Sequence, residues 1–265
     1  IYAHCVGFGQ NGPYADLQAY DDVIQAATGT ATLLPRVDGD PRARYLPSLI
    51  ADKVAGLHAA YAVLAAVVHK LRTGEGQKVE IAMFEAFSHF MLLEHLAGLT
   101  FDPPNAPVGY FRQIDPDRQP FPTRDGFVSI VPYTDEAWPR VFEVLGHSAF
   151  LKDERFATRK ARTDNLPLLY REMARLTPAF TTAELVAKCH AAQIPAQPVR
   201  DIADIMDDPH LAATGFFSRQ EHPSEGGYFA MEHPVRFAKP LGSAKRHAPR
   251  LGEQSDRIRA GLKKR

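Results

Sequence analysis

The sequence predicts an α/β protein made of a larger domain and a smaller α+β domain. Residues 48–76 place apolar side chains at steps of three and four, which is the repeat of one face of an α-helix. Residues 1–6 and 78–83 have the apolar patterns of strands before and after that helix. The composition then changes at Thr100, because residues 100–122 are rich in proline and have no periodicity. Such a stretch is typical of a linker, so we expect a second domain after it.

The long helix is expected to be buried. Both of its faces carry apolar or small side chains, and between Leu49 and Val68 the only formal charges are Asp52 and Lys53. We therefore predict a core helix that stops at Gly74. A carboxylate at the head of a buried helix is costly unless it is compensated, and the free N–H groups of the first turn can compensate it. Asp52 is therefore either a simple helix cap or a functional group.

Local signals define the other elements. Gly29 and Gly146 follow predicted helices, and Thr181 forms a capping box with Glu184. Residues 1–6 are expected to be a buried strand. In chain order we further expect helix 21–27, a loop at 33–47, helix 84–99, strand 127–131, helix 135–145, helix 166–176, a helix from 181 to about 192, an extended segment at 195–199, a short helix at 202–206, a hairpin at 216–237 and a polar helix at 254–263.

Charge and cysteine content limit the classes of function. Lysine plus arginine and aspartate plus glutamate both number 31, so the formal net charge is zero. This balance argues against a nucleic-acid partner or a polybasic membrane surface. The longest apolar run, residues 59–68, is too short to span a bilayer, and we recognise no signal peptide. Cys5 and Cys189 are too few for a disulfide framework, so we expect a cytoplasmic protein in a reducing compartment.

Common cofactor and metal motifs give weak or negative signals. Gly7, Gly9 and Gly12 match a G-x-G-x-x-G pattern after a strand. The dinucleotide motif must open a helix, whereas Gly12 precedes Pro13 in a predicted turn, so we expect no nicotinamide or flavin site. The histidines are scattered without ligand spacing, so we also expect no metal. His58 could act as a base, but a structural histidine of the long helix is the simpler interpretation.

Two long segments resemble a known enzyme family. They read GFGQNGPYADLQAYDDVIQAATG and LIADKVAGLHAAYAVLAAVVHKLRTGEGQKVEIAMFEA, and they are similar to the family III coenzyme A transferases. That family includes formyl-CoA transferase and the carnitine CoA transferases. Shorter segments later in the chain follow the same family order, namely RDGFVSI, QIPAQPV, DDPHLAATGFF, HPVRF and RLGEQ. The resemblance therefore covers nearly the whole chain.

The resemblance implies a Rossmann-like large domain and interlocked ring dimers, so we expect a homodimer. It implies that residues 1–99 are the C-terminal portion of the nucleotide-fold core and that residues 100–122 are a linker. The small domain would be residues 123–214, and residues 215–265 would return to the large domain. The match starts at what would be the last strand of that core. We therefore expect the chain to lack an N-terminal part of the domain, which holds further CoA contacts in the family.

The resemblance also implies a reaction and its residues. Asp52 matches the family's catalytic aspartate, which attacks an acyl-CoA thioester and then holds CoA as an aspartyl thioester until a carboxylic acid takes it. Gln18, Ala19, Tyr20 and Asp21 match the family's CoA-contacting segment, although Tyr20 and Asp21 alone read as a helix start. The substrates would be an acyl-CoA and a carboxylic acid, with coenzyme A and no metal. A carboxylate nucleophile needs no general base.

Two alternatives stay open. The α-methylacyl-CoA racemases of the same superfamily keep the aspartate, but they have a histidine base where this sequence has Tyr20. A tyrosine is seldom deprotonated near neutral pH, which argues against proton abstraction. The other alternative is a catalytically silent fragment that acts in assembly. Residues 114–127 lack the glycine run of formyl-CoA transferase, so the resemblance does not predict which acids are donor and acceptor.

Overall fold

A computed structural model describes residues 1–239 and 246–262. The chain divides into two compact units, residues 1–198 and residues 199–265. Helices and strands alternate in the first unit, which contains two separate hydrophobic cores. The mixed α and β character that the sequence predicts is therefore confirmed.

The first core is built around two parallel strands and the helices between and after them. Strands β1 and β2 pair in register from Tyr2 opposite Lys78 to Val6 opposite Ala82, and a parallel pair needs a long crossover connection. The buried side chains are Phe8, Ile24, Ala51, Val54, Phe87 and Met91. The elements are β1 (Tyr2–Val6), α1 (Asp21–Ala27), α2 (Leu33–Asp38), α3 (Ile50–Thr73), β2 (Lys78–Ala82) and α4 (Met83–His95).

The second core lies between a small antiparallel sheet and three helices, and a fourth helix contributes no buried side chain to it. Strand β4 is central, and it pairs with β3 on one side and β5 on the other. Trp138 is buried here, and the capping box of Thr181 and Glu184 is present as predicted. The elements are β3 (Phe121–Pro122), β4 (Phe127–Ile130), α5 (Ala137–Val144), α6 (Arg159–Asp164), α7 (Leu166–Leu176), α8 (Thr182–Ala191) and β5 (Ala196–Pro198).

The second unit contains a short helix, a hairpin and a C-terminal helix. These are α9 (Pro209–Ala213), β6 (Phe217–His222), β7 (Gly226–Met231) and α10 (Ser255–Leu262), after a 3₁₀ turn at Ile202–Asp207. The hairpin and the turn at Gly226 agree with the sequence prediction. The predicted final residue of the tail helix, 263, lies outside the described residues.

The prediction that the long helix is buried is wrong for this chain. Helix α3 begins and ends where the sequence indicates, and Gly74 follows it with a left-handed φ of 80°. Only Ala51, Val54 and Ala66 are buried along it, whereas Leu57 and Leu71 are 70% and 81% exposed. Helices α1 and α4 and the strands cover one side only. The pattern identified apolar side chains correctly, but it does not say what covers them.

Three further expectations need correction. Strand β1 forms, but none of its residues is buried, because only β2 pairs with it among the described strands. Residues 33–47 are not wholly a loop, since α2 occupies Leu33–Asp38. One described helix, α3, is long and apolar enough to cross a membrane by length and composition, with a mean hydropathy of 1.5. The limit drawn from residues 59–68 therefore does not hold for the whole helix.

Candidate active site

The N-terminus of α3 receives its cap from another helix. Leu49 occupies the cap position and makes no side-chain hydrogen bond to the helix. Asp21, in the first turn of α1, takes this role. Its Oδ1 accepts from the backbone N–H of Ala51 at 2.7 Å and from that of Asp52 at 3.2 Å. The carboxylate thus satisfies two N–H groups that have no partner within the helix, and its charge faces the positive end of the helix dipole.

Asp21 is held in this position by a buried amide. The Asp21 side chain is buried, and the Gln25 Nε2 one turn later donates to Asp21 Oδ2 at 2.6 Å. Gln25 is itself fully buried, and its Oε1 accepts from the backbone N–H of Leu46 at 2.8 Å. Helix α1, the segment before α3 and the first turn of α3 therefore form one hydrogen-bond network. This network fixes the backbone at Asp52.

The Asp52 side chain itself is exposed and makes no hydrogen bond or ion pair with any described residue. Its neighbour Lys53 turns away, since the Lys53 Nζ donates to Ser48 Oγ at 2.9 Å. The expectation that free N–H groups of the first turn compensate the Asp52 carboxylate is wrong, because Asp21 accepts from them. The result is an exposed carboxylate without a partner in the described part of the chain, carried on a fixed backbone.

The segment predicted to contact CoA lies directly before α1. Tyr20 is 74% exposed, and its carbonyl accepts from the backbone N–H of Ile24 at 3.0 Å, which starts the helix. Gln18 is exposed, whereas Ala19 is half-buried and packs against the first core. Asp21 differs from these three, since both of its oxygens are engaged inside the protein. The structure therefore leaves Gln18 and Tyr20 as the side chains that a ligand can reach.

The glycine-rich loop after β1 is occupied by the protein's own carboxylates. The backbone N–H of Gly9 donates to Glu85 Oε1 at 3.0 Å, and that of Gln10 donates to Glu80 Oε1 at 3.0 Å. Turns follow instead of a helix over residues 11–17. Two carboxylates on the loop amides would repel a pyrophosphate, so the weak G-x-G-x-x-G match does not form a dinucleotide site here.

The other candidate groups have structural partners or no ligand geometry. The His58 Nδ1 donates to the carbonyl of Val54 at 2.8 Å, one turn earlier in α3. Within residues 1–239 and 246–262, no group of three or more histidine, cysteine, aspartate or glutamate residues could hold a metal ion. Both cysteines are free thiols, and burial raises the pKa of Cys189 to about 11. Neither His58 nor Cys189 is arranged for chemistry.

Sequence reasoning missed Gln25 as a member of this site. Its signal was available, because Asp21 and Gln25 are four residues apart and such residues face each other on a helix. A polar pair on the buried face of a short helix indicates a hydrogen-bond network. The backbone N–H of Ala51, which donates to Asp21, lies 30 residues further along the chain. Local pattern alone could therefore not identify this hydrogen bond.

Gly7 is required for the position of Ala19. A Cβ at Gly7 would lie 2.4 Å from the Ala19 Cβ, whereas a Cβ at Gly56 in α3 would meet nothing within 4 Å. We expect Gly7→Ala to lower the free energy of unfolding by about 1–3 kcal/mol, because it overpacks this contact. The matched control, Gly56→Ala, should be neutral or stabilising by up to ~1 kcal/mol. Urea denaturation followed by circular dichroism measures both, and equal stability of the two variants would contradict the packing described.

Comparison with known proteins identifies the family. A family model described as CoA-transferase family III matches residues 1–255. The chain therefore belongs to CoA-transferase family III.

Curated relatives are similar over nearly all of this chain. A succinate–glutarate CoA-transferase of Agrobacterium fabrum is 29% identical over 99% of this chain and 65% of its own length. A formyl-CoA:oxalate CoA-transferase of Afipia carboxidovorans is 26% identical over 97% of this chain and 65% of its own length. The beta subunit of a succinyl-CoA–L-malate CoA-transferase of Chloroflexus aurantiacus is 26% identical, with coverage of 97% and 64%. The chain thus spans about 65% of the length of these relatives.

Solved structures agree with this assignment. A CAIB/BAIF family protein from Brucella suis superposes with a TM-score of 0.73 at 27% identity, covering 99% of this chain and 68% of the other. The crystal structure of Rv3272 from M. tuberculosis gives a TM-score of 0.80 at 24% identity, covering 97% of this chain and 68% of the other. The second likeness shows the shared fold alone.

Proposed function

We propose that this protein transfers coenzyme A between an acyl-CoA thioester and a carboxylic acid, with Asp52 as the nucleophile. The observation that supports this most is the exposed, unpaired carboxylate of Asp52 on a backbone that Asp21 holds in place. Membership of CoA-transferase family III supports the same class of reaction. The relatives named above act, by their names, on small carboxylic acids, so we propose a small acid as the acceptor.

The proposed reaction needs only the carboxylate and the two substrates. An Asp52 oxygen attacks the thioester carbonyl, the C–S bond breaks, and the CoA thiolate leaves with the electron pair. The thiolate then attacks the Asp52 carbonyl of the resulting anhydride and releases the donor acid as its carboxylate. The acceptor carboxylate attacks the aspartyl thioester and displaces CoA again. The thiolate finally attacks the acceptor carbonyl, which forms the new acyl-CoA and frees Asp52.

The neighbouring residues have separate roles in this proposal. Gln18 and Tyr20 are exposed next to α1 and are proposed to contact CoA. Ala19 would contribute backbone only, because its side chain packs inward. Asp21 is proposed as a positioning residue rather than a direct CoA contact, since its oxygens bind the backbone of α3 and Gln25. This revises the role that the resemblance alone implies for Asp21.

We further infer a homodimer and a two-domain organisation with the boundaries expected from sequence. The exposed apolar side chains of α3 support an assembly, because large apolar patches on a protein surface are usually covered by a partner. The two separate cores of residues 1–198 support a division between residues 1–99 and a second domain from residue 123, whereas the end of that domain at residue 214 rests on the resemblance. The return of residues 215–265 to the large domain rests on the resemblance. A cytoplasmic location is proposed because both cysteines are free.

One experiment separates the transferase from the racemase and from a silent fragment. The protein is incubated with a 2-methylacyl-CoA in deuterated water without acceptor acid, and NMR follows the α-hydrogen. We expect negligible exchange, because Tyr20 is exposed and bonds no cation or base among the described residues. CoA transfer should begin when succinate is added. Rapid deuterium incorporation that Tyr20→Phe removes would support the racemase instead.

The silent-fragment alternative gives a different result in the same experiment. It predicts neither exchange nor transfer, together with no saturable binding of CoA by titration calorimetry. Such a result would overturn the proposed function. Deuterium exchange would identify a racemase, whereas the absence of both exchange and transfer would identify a silent fragment.

A further inference from the structure

A partly open cavity of about 210 Å³ lies beside the second core, and none of the residues of the candidate active site lines it. Its walls come from residues 110–121, residues 129–135, α6 and α7. Ligand pockets for drug-sized molecules have volumes of about 300–1,000 Å³. This cavity is smaller, so its size suits a small metabolite.

The charged lining of the cavity is strongly unbalanced. Four arginines face one carboxylate, and these residues are Arg112, Arg118, Arg159, Arg162 and Asp135. The single carboxylate is already engaged, because Arg162 Nη2 donates to Asp135 Oδ1 at 2.6 Å. The Arg162 Nη1 donates to the carbonyl of Phe156 at 2.9 Å. Arg162 is therefore the one cavity arginine with an ion pair among the described residues.

The other three arginines lack a carboxylate partner. Arg118 Nη1 donates to the neutral side chain of Gln113, at 2.6 Å from its Oε1. Arg112 stacks over the ring of Phe111, and neither Arg112 nor Arg159 forms an ion pair with a described residue. Several other arginines in this part of the chain are paired with carboxylates, as Arg171 is with Asp117 and Arg124 is with Glu184. Three unpaired guanidinium groups around one cavity are an anion-binding arrangement.

The arginines come from two segments of the chain, residues 110–121 and α6. Burial raises the pKa of the Tyr170 hydroxyl, Arg118 and Arg112 oppose that rise, and the carboxylate of Asp115 adds to it. Arg159 and Arg162 are three residues apart on α6, where such residues share a face. The cavity wall also includes the aromatic side chains of Phe121, Trp138 and Tyr170, which pack into the second core.

We propose that this cavity binds a small dicarboxylic acid, whose carboxylates are held by the arginines that have no ion pair, Arg112, Arg118 and Arg159. A planar carboxylate matches the fork of a guanidinium group, and the aromatic wall suits the carbon chain between two carboxylates. Inorganic phosphate has the charge but lacks the apolar middle. The site contains none of the residues proposed for CoA transfer, so it does not rest on that reaction.

Titration calorimetry with succinate and inorganic phosphate tests the proposal without any CoA chemistry. We expect saturable succinate binding with a Kd of about 1 mM or tighter, and phosphate at least tenfold weaker. Arg112→Gln and Arg159→Gln should each weaken succinate at least about tenfold, because each removes a charge-assisted contact. These two arginines are chosen because neither donates a hydrogen bond to another described residue, so the fold should be unaffected, as thermal unfolding can verify.

Arg124→Gln is the matched control. Arg124 is exposed in the same part of the chain, pairs with Glu184 at 3.2 Å and does not line the cavity. It should change the succinate Kd by less than twofold. An equal loss in Arg124→Gln, the absence of saturation, or phosphate binding as tight as succinate would each overturn the dicarboxylate site. None of these results depends on whether Asp52 transfers CoA.

Discussion

Replacing Asp52 with asparagine is expected to reduce kcat for CoA transfer at least about a thousandfold, because the amide cannot attack the thioester. The substitution should leave the fold intact. The Asp52 carboxylate is exposed and bonds no described residue, so the free energy of unfolding should change by less than ~0.5 kcal/mol. Steady-state assays of CoA transfer and thermal unfolding measure the two quantities separately.

Glu75→Gln is the matched control for this substitution. Glu75 is an exposed carboxylate just beyond the opposite end of the same helix. It should retain normal activity and stability. If Asp52→Asn keeps more than a tenth of the activity, or if Glu75→Gln loses as much, Asp52 is not the nucleophile.

Replacing Asp21 with alanine is expected to lower the free energy of unfolding by about 3 kcal/mol. The change leaves the N–H groups of Ala51 and Asp52 and the amide of Gln25 without their acceptor in a buried place. Because the first turn of α3 then loses its cap, Asp52 should also be displaced and kcat should fall at least about tenfold. Urea denaturation and activity assays on the same preparation follow both effects.

Asp22→Ala provides the comparison for Asp21. Asp22 is the next residue of α1 but is exposed, so its loss should cost less than ~0.5 kcal/mol. Similar destabilisation by the two substitutions would mean that a general charge effect, and not the cap on α3, is responsible.

The start and end of a helix could be predicted well where residues close to them in sequence determine them. Helix α3 was identified by its apolar repeat, and its end by Gly74, which can adopt the left-handed conformation without strain. The capping box at Thr181 predicted the start of α8 for a similarly local reason. These signals lie within a few residues of the feature they define.

Burial could not be predicted in the same way. The apolar pattern of α3 predicts that its side chains pack against other elements, yet Leu57 and Leu71 are exposed to solvent. A periodic pattern records what a side chain prefers, whereas burial depends on which elements are present to pack against it. Residues 33–47 show a related difficulty for secondary structure, because their composition predicts a loop. Pro35 lies in the first turn of α2, where proline is tolerated, so a short helix forms over Leu33–Asp38.

The candidate site was predicted in its residues but not in its connections. Asp21 and Asp52 were both identified, yet the hydrogen bonds that join them come from the backbone of α3 and cross 30 residues of sequence. The arginine cavity shows the same limit more strongly. Arg112 and Arg159 are far apart in sequence and share no motif, so only the fold brings them to one cavity.

The most direct test of the proposed mechanism is to trap its covalent intermediate. The protein is incubated with succinyl-CoA, treated with hydroxylamine or borohydride, and digested for peptide mass spectrometry. Hydroxylamine converts an aspartyl–CoA thioester or anhydride to a hydroxamate and borohydride reduces it to an alcohol, so either reagent leaves a permanent mass change on that residue. Transfer through Asp52 predicts the change on Asp52 alone and its absence from Asp52→Asn. A label on a different carboxylate, or activity without any labelled residue, would contradict it.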